Sequence, residues 1–147
     1  MMLSRRQFFG MIALGLPALR AHAGNSVVLV TTDTDPDFSL ESIRLRKVFL
    51  GFAVLHDGHL LRPIRNRSDP RLDAVFLQHV VAMSPEAYER RLLSLSLQQG
   101  RPRPLEVRSR TDLLNAMREH AHAISFAWHS DVAAEPGIRV VRTLWRE

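Results

Sequence analysis

The chain has 147 residues, with 20 Lys and Arg, 15 Asp and Glu, and a formal net charge of +5. It contains no cysteine, which excludes disulfide bonds, thiolate nucleophiles and thiolate metal sites. Without residues 1–23, 17 Lys and Arg remain against 15 Asp and Glu, a net charge of +2, so no nucleic-acid partner is expected.

The first residues have the pattern of an export signal. The run Ser4-Arg5-Arg6-Gln7-Phe8-Phe9 is typical of the twin-arginine motif, a mildly apolar run covers 10–19, and Ala21-His22-Ala23 is a small-x-small cleavage site. The apolar run has about ten residues, whereas a bilayer-spanning helix needs roughly 20. We predict that residues 1–23 are a twin-arginine-type signal peptide cleaved after Ala23, with a general secretory signal as the alternative. The mature domain, residues 24–147, is then periplasmic, and the twin-arginine translocase is its partner during export.

Residues 24–66 alternate strand and helix patterns. The apolar run Val27–Val30 predicts a buried strand, and Ser39 is expected to cap a helix that ends near Gly51. The expected buried side of this helix is Ile43, Val48, Phe49 and Leu50. Asp57-Gly58, flanked by apolar pairs, predicts the tight turn of a β-hairpin over 52–65.

The second half of the chain continues the alternation. Asp69-Pro70 and Ser84-Pro85 predict two helix starts, because Asp or Ser accepts free backbone N–H groups and Pro suits the first helical position. Ser109-x-x-Asp112 predicts a capping box for a helix to about His120. Short strands are expected over 105–108, 123–128 and 138–144. The predicted class is α/β, a mixed sheet flanked by helices.

The ordered series of these segments resembles a known family. The helix end Val48-Phe49-Leu50-Gly51, the turn Asp57-Gly58, Pro63-Ile64, the helix with Phe76 and the strand Ala123-Ile124-Ser125-Phe126 are similar to the phosphate-binding periplasmic proteins of ABC importers, and above all to their short, single-lobed relatives. The resemblance covers nearly all of residues 26–144. It implies a single-lobe periplasmic-binding-protein-like domain without enzymatic activity or cofactor, working with a membrane transporter or sensor protein.

The resemblance also indicates a ligand site. Phosphate-binding members carry a Ser-, Gly- and Thr-containing turn at a helix N-terminus, where backbone N–H groups meet the anion. The matching stretch here is Arg65-Asn66-Arg67-Ser68-Asp69-Pro70, which lacks Gly and Thr and adds a carboxylate. Arg65, Arg67 and Ser68 are the candidate ligands for a small oxyanion such as phosphate. The alternatives are a solvated basic turn and an interaction or sensory module that has lost ligand binding.

Three other polar groups have compositions that could form a site. The loop Thr31–Asp35 follows a buried strand and has hydroxyls for an anion, but its aspartates favour a solvated loop or a cation. Two histidine groups have spacings compatible with copper or zinc, namely His56 with His59, and His120 and His122 with His129. These positions are also ordinary turn and helix-end positions, so no metal site is predicted. No nucleophile motif or paired carboxylate is present, and no enzyme is expected.

Overall fold

A computed structural model describes residues 25–147, so the predicted signal peptide lies outside the described part of the chain. In chain order the elements are β1 (Ser26–Thr31), α1 (Ser42–Phe49), β2 (Leu55–His56), β3 (His59–Leu60), β4 (Arg62–Asn66), α2 (Pro70–Phe76), a π-helix (Leu77–Val81), α3 (Pro85–Gln99), β5 (Leu105–Val107), α4 (Arg110–Glu119), β6 (Ala123–Trp128), α5 (His129–Val132) and β7 (Arg139–Arg146). None of the helices in this range has the length and apolarity to cross a membrane.

Five strands form one mixed sheet in the order β5-β4-β6-β1-β7, and β2 and β3 form a separate hairpin. Strand β4 pairs in parallel with β5 and β6, whereas β1 is antiparallel to β6 and β7. Strands β4, β5, β6 and β7 therefore end on the same side, which we call the carboxyl end of the sheet. Helices α2, α4 and α5 begin there, and β1 ends at the opposite, amino end.

The sheet separates two apolar cores. Alternation along β1 sends Val27 and Leu29 to one face and Val28 and Val30 to the other. Helices α1, α2 and α3 cover the first face, and α4 and α5 cover the second. On the first face, the rings of Phe76 and Phe126 stack with centroids 4.4 Å apart. The result is a three-layer α/β arrangement, which confirms the predicted fold class.

Local capping signals predicted the starts of α2, α3 and α4 correctly. The carboxylate of Asp69 accepts from the Arg71 N–H at 2.8 Å, and the Ser84 hydroxyl accepts from the Ala87 N–H at 3.1 Å. Ser109 accepts from the Asp112 N–H at 3.1 Å. At the hairpin turn, Asp57 and Gly58 adopt φ angles of 46° and 78°, as a tight turn between antiparallel strands requires.

The start of α1 and the burial of Ile43 were predicted wrongly, whereas Val48, Phe49 and Leu50 are buried as predicted. The N-cap residue is Glu41, without a side-chain cap, rather than Ser39. Ile43 is 62% exposed, because the buried face is formed by Leu45, Val48 and Phe49. Ile43 lies two residues before Leu45, which is about 200° around a helix and so on its opposite face. The π-helix and α5 were not predicted.

Candidate functional site

The turn that follows β4 lies at the carboxyl end of the sheet, and its first predicted ligand, Arg65, is buried. The guanidinium Nε and Nη2 donate to the two carboxylate oxygens of Asp73 at 3.0 and 3.1 Å. Nη1 donates to Glu89 at 3.2 Å and to Glu106 at 3.5 Å. The residue as a whole is 2% exposed. Three carboxylates from α2, α3 and β5 therefore occupy the charged donors of this arginine.

Aromatic rings complete the surroundings of Arg65. Its guanidinium carbon lies 5.5 Å from the ring centroid of Phe76 and 5.0 Å from that of Tyr88. The Tyr88 hydroxyl donates to the carbonyl of Phe49, and burial raises the pKa of this phenol. Arg65 thus joins the sheet to α2 and α3 as part of the core.

Arg67 and Ser68 are more accessible than Arg65. The Arg67 side chain is one-third exposed, at 33%, and its nitrogens lie 3.6 Å from Asp73 and 3.5 Å from Glu106. The Ser68 N–H donates to Asn66 Oδ1 at 3.0 Å. Within residues 25–147 the Ser68 hydroxyl makes no hydrogen bond. These two residues are the part of the predicted ligand set that a solute or partner can reach.

The start of α2 is occupied by a side chain of the protein. One Asp69 oxygen accepts from the Arg71 N–H at 2.8 Å, and the other accepts from the Trp128 Nε1–H at 2.9 Å. Pro70 has no N–H to offer. A carboxylate therefore stands where the resemblance places a bound phosphate, and it would repel a second anion at close range.

Arg71 extends this surface toward the end of the chain. Its guanidinium lies 5.8 and 5.6 Å from the ring centroids of Trp128 and Trp145 and forms an ion pair with Glu147. An arginine between two indoles presents a flat, mixed cationic and aromatic surface, a composition typical of protein contacts.

A second polar group, made of aspartates and histidines, lies at the amino end of the sheet. Asp33 Oδ2 is 2.9 Å from His122 Nδ1, and Asp35 Oδ2 is 2.9 Å from His56 Nε2. Burial alone would raise the pKa of Asp33, but hydrogen bonds from the Asp35 N–H and the His122 ring outweigh it and hold that pKa below its usual value. The hydrogen bond from His56 likewise lowers the pKa of Asp35.

The structure separates His129 from His120 and His122, whereas His56 and His59 are cross-strand neighbours in the hairpin. His122 precedes β6 and His129 follows it, and a six-residue strand puts on the order of 20 Å between them. The His59 ring instead stacks on His122 with centroids 4.2 Å apart. Among the described residues, one group with metal-compatible geometry is Asp35, His56 and Asp57, whose ligand atoms lie within 4.8 Å of one another. In this group His56 Nε2 lies 2.9 Å from Asp35 Oδ2 and 3.6 Å from Asp57 Oδ2.

The loop Thr31–Asp35 belongs to this second group and not to the turn after β4. The Thr31 hydroxyl donates to the Ala123 carbonyl at 2.9 Å, and the Thr32 hydroxyl donates to the His120 carbonyl at 2.6 Å. Because β1 runs antiparallel to its neighbours, its end lies across the sheet from Arg67 and Ser68. The two candidate anion loops therefore cannot share a ligand.

Comparison with known proteins places this geometry in a known fold. No protein-family model matches the chain, and no curated protein sequence matches it. An ABC-type phosphate transport receptor from Vibrio cholerae is similar over 80% of this chain and 46% of its own, with TM-score 0.57 and 10% identity. A putative phosphate ABC transporter substrate-binding protein from Clostridium perfringens, with bound phosphate, is similar over 80% of this chain and 44% of its own, with TM-score 0.60 and 10% identity. PstS from Borrelia burgdorferi is similar over 80% of this chain and 46% of its own, with TM-score 0.56 and 12% identity.

This similarity shows the fold and its extent. The chain spans less than half the length of each of these receptors, so it corresponds to about one lobe of them. The predicted single-lobe, periplasmic-binding-protein-like fold is confirmed. Sequence reasoning identified the turn at residues 65–70 but missed the acidic partners of Arg65. Of these partners, Asp73 lies nearest in sequence, eight residues after Arg65 and in the first turn of α2, so it is the one that the local sequence could have indicated.

Proposed function

We propose that this chain is a non-enzymatic, solute-binding-like lobe that acts in the periplasm as an interaction or sensory accessory module. The observation that supports this most directly is the Asp69 carboxylate, which accepts two hydrogen bonds at the start of α2. A lobe whose anion position is filled by its own side chain is suited to contact a protein rather than to hold phosphate by itself.

The single-lobe length supports the same proposal. Small-molecule sites bury most of the ligand surface between opposing walls. This chain covers 44–46% of the receptors with the same fold, so within its own described residues the carboxyl end of the sheet faces no second lobe. A membrane-bound transporter or sensor component is the partner class that fits a periplasmic lobe.

Site-specific photo-crosslinking tests this function in the organism that makes the protein. A photoreactive residue at position 67 is expected to capture one defined membrane protein, because Arg67 lies accessible at the carboxyl end of the sheet. The matched control is position 79, where His79 is exposed on the π-helix outside that surface. Capture at neither position, or equal capture at both, would contradict the proposal.

A second candidate function is binding of a small oxyanion by Arg65, Arg67 and Ser68. It is favoured by charge: among the described residues, four guanidinium groups lie within 4.0 Å of three carboxylates, namely Arg65, Arg67, Arg103 and Arg108 beside Asp73, Glu89 and Glu106. Arg67 and the Ser68 hydroxyl would contact the anion. The positive charge of the buried Arg65 would attract the anion without contacting it. Saturable heat on titrating residues 24–147 with phosphate, lost in Arg67→Ala, would support this candidate; no heat at millimolar phosphate would eliminate it.

A further inference from the structure

An apolar cavity of about 170 Å³ lies at the amino end of the sheet, away from the turn at residues 65–70. It is formed where the end of α1, the β2–β3 hairpin and the segment before β5 meet the first residues of β4. Its apolar lining includes Phe52, Leu60, Leu61, Ile64 and Leu105. Leu60 and Leu105 are 46% and 47% exposed, so two large apolar side chains border the cavity without being covered.

The size of the cavity indicates what it can hold. A cavity of about 150 Å³ lined by Leu, Ile and Phe is large enough to bind benzene. At about 170 Å³, the present cavity therefore accommodates one six-membered ring. Its apolar lining favours a ring over a cluster of ordered water molecules.

The charged side chains that line the cavity are all basic. Arg62, Arg101 and Arg103 line it, together with His120, and no Asp or Glu is among its lining residues. Within residues 25–147, Arg62 forms no ion pair, and Arg101 donates only to the neutral amide of Gln99 at 2.9 Å. Arg103 is paired with Glu89. Two arginines thus have no acidic partner beside an apolar cavity, in contrast to Arg65 with three.

One of these arginines is held by the apolar wall. The guanidinium carbon of Arg101 lies 5.5 Å from the Phe52 ring centroid, which keeps a cation over the aromatic lining. A guanidinium in that position offers paired N–H donors to a carboxylate at the cavity mouth.

We propose that this cavity binds a small aromatic monocarboxylate. The ring lies among Phe52, Leu61 and Leu105, and the carboxylate accepts hydrogen bonds from Arg62 and Arg101. This site is distinct from the proposed interaction surface, because Arg67 and Ser68 lie at the opposite end of β4; Glu89 links Arg103 of the cavity to the buried Arg65. A bound ligand would contact the hairpin and the segment 101–104, because both form walls of the cavity.

Titration with benzoate, followed by calorimetry and by NMR shifts of the Phe52, Leu61 and Leu105 signals, tests the proposal. Saturable binding is expected, with shifts confined to the cavity walls. Benzyl alcohol has the ring without the charge and acetate has the charge without the ring, so each is expected to bind at least about tenfold more weakly, a difference of about 1.4 kcal/mol.

Variants separate this site from general attraction of anions. Arg62→Ala with Arg101→Ala is expected to weaken benzoate binding at least tenfold, whereas Arg91→Ala, which removes an exposed arginine on α3, is expected to leave it unchanged. The proposal is overturned if benzoate does not bind saturably, if benzyl alcohol binds equally well, or if the double variant binds like the original protein. Binding lost equally in Arg91→Ala would also overturn it, because attraction would then be nonspecific.

Discussion

Arg65 and Asp73 form a two-point ion pair beneath the turn that follows β4, with N–O distances of 3.0 and 3.1 Å. The Arg65 side chain is 3% exposed and that of Asp73 is 15% exposed, so water screens this pair little. The pair fastens α2 to the sheet directly below the surface that we propose for recognition. It therefore decides the shape of that surface without being part of it.

We expect Arg65→Ala to lower the free energy of unfolding by about 3 kcal/mol, because the largely buried Asp73 carboxylate loses its two-point ion pair and the core loses the packed guanidinium, while Arg67 still lies 3.6 Å from Asp73. Arg65→Lys should recover only part of the loss, since an ammonium cannot make the two-point contact. Urea denaturation at pH 7 measures both. Arg91→Ala is the control and should stay within about 0.5 kcal/mol of the unmodified protein. If Arg65→Ala were equally stable and changed only anion binding, Arg65 would be a ligand residue after all.

Helix caps could be predicted from the sequence of this chain, whereas the ion pairs of Arg65 could not. Caps such as Asp69-Pro70 and Ser84-Pro85 act within a few residues, so the sequence predicted those helix starts correctly. The partners of Arg65 lie 8, 24 and 41 residues away along the chain, on three different elements. Sequence proximity to other arginines suggested an anion site, whereas long-range folding supplies the anions from the protein itself.

The direction of β1 in the sheet also could not be predicted from the local sequence. Its apolar run identified a buried strand, but only pairing with β6 and β7 makes it antiparallel. That direction moves Thr31–Asp35 to the amino end of the sheet and away from Ser68. The order of elements was enough to predict the fold class, while the grouping of side chains at each end of the sheet was not.

Acid should destabilise the protein through the histidine-paired aspartates. The pKa values of Asp33 and Asp35 lie below their ordinary value of 3.8 in the folded chain. A carboxyl group whose pKa is lower in the folded state than in the unfolded state stabilises the fold at pH values above its unfolded-state pKa. This stabilisation is lost as the pH falls through the folded-state pKa. We therefore expect the urea midpoint to fall as the pH drops below about 4.

Replacing the histidines separates this contribution from general acid unfolding. In His56→Ala the pKa of Asp35 should return toward its ordinary value, so the fall of the urea midpoint between about pH 4.5 and 2.5 should be shallower. His122→Ala should act in the same way through Asp33. His79→Ala is the matched control, since His79 is exposed and lies outside this group. Identical acid profiles for all three variants would contradict this assignment.

The Asp69 carboxylate should control whether the start of α2 accepts an anion. Asp69→Ala removes the N-cap and the partner of the Trp128 N–H, and we expect a loss of about 1–2 kcal/mol in urea denaturation. Asp69→Ser keeps a capping oxygen without the charge, so it should retain most of the stability and acquire weak, millimolar phosphate binding in calorimetry. Phosphate binding of equal strength before and after Asp69→Ser would show that the carboxylate does not exclude the anion.

The N-terminal motif gives a prediction about export that does not depend on the fold. Replacing Arg5 and Arg6 together by lysine keeps the charge but removes the paired guanidinium groups, so the precursor should remain in the cytoplasm if the twin-arginine translocase requires them. Arg20→Lys is the matched control and should be exported normally. Cell fractionation measures both, and mass spectrometry of the exported protein should find Gly24 as its first residue. Undiminished export of the double variant, still cleaved after Ala23, would identify the general secretory route, because that route needs positive charge and an apolar run but no arginine pair.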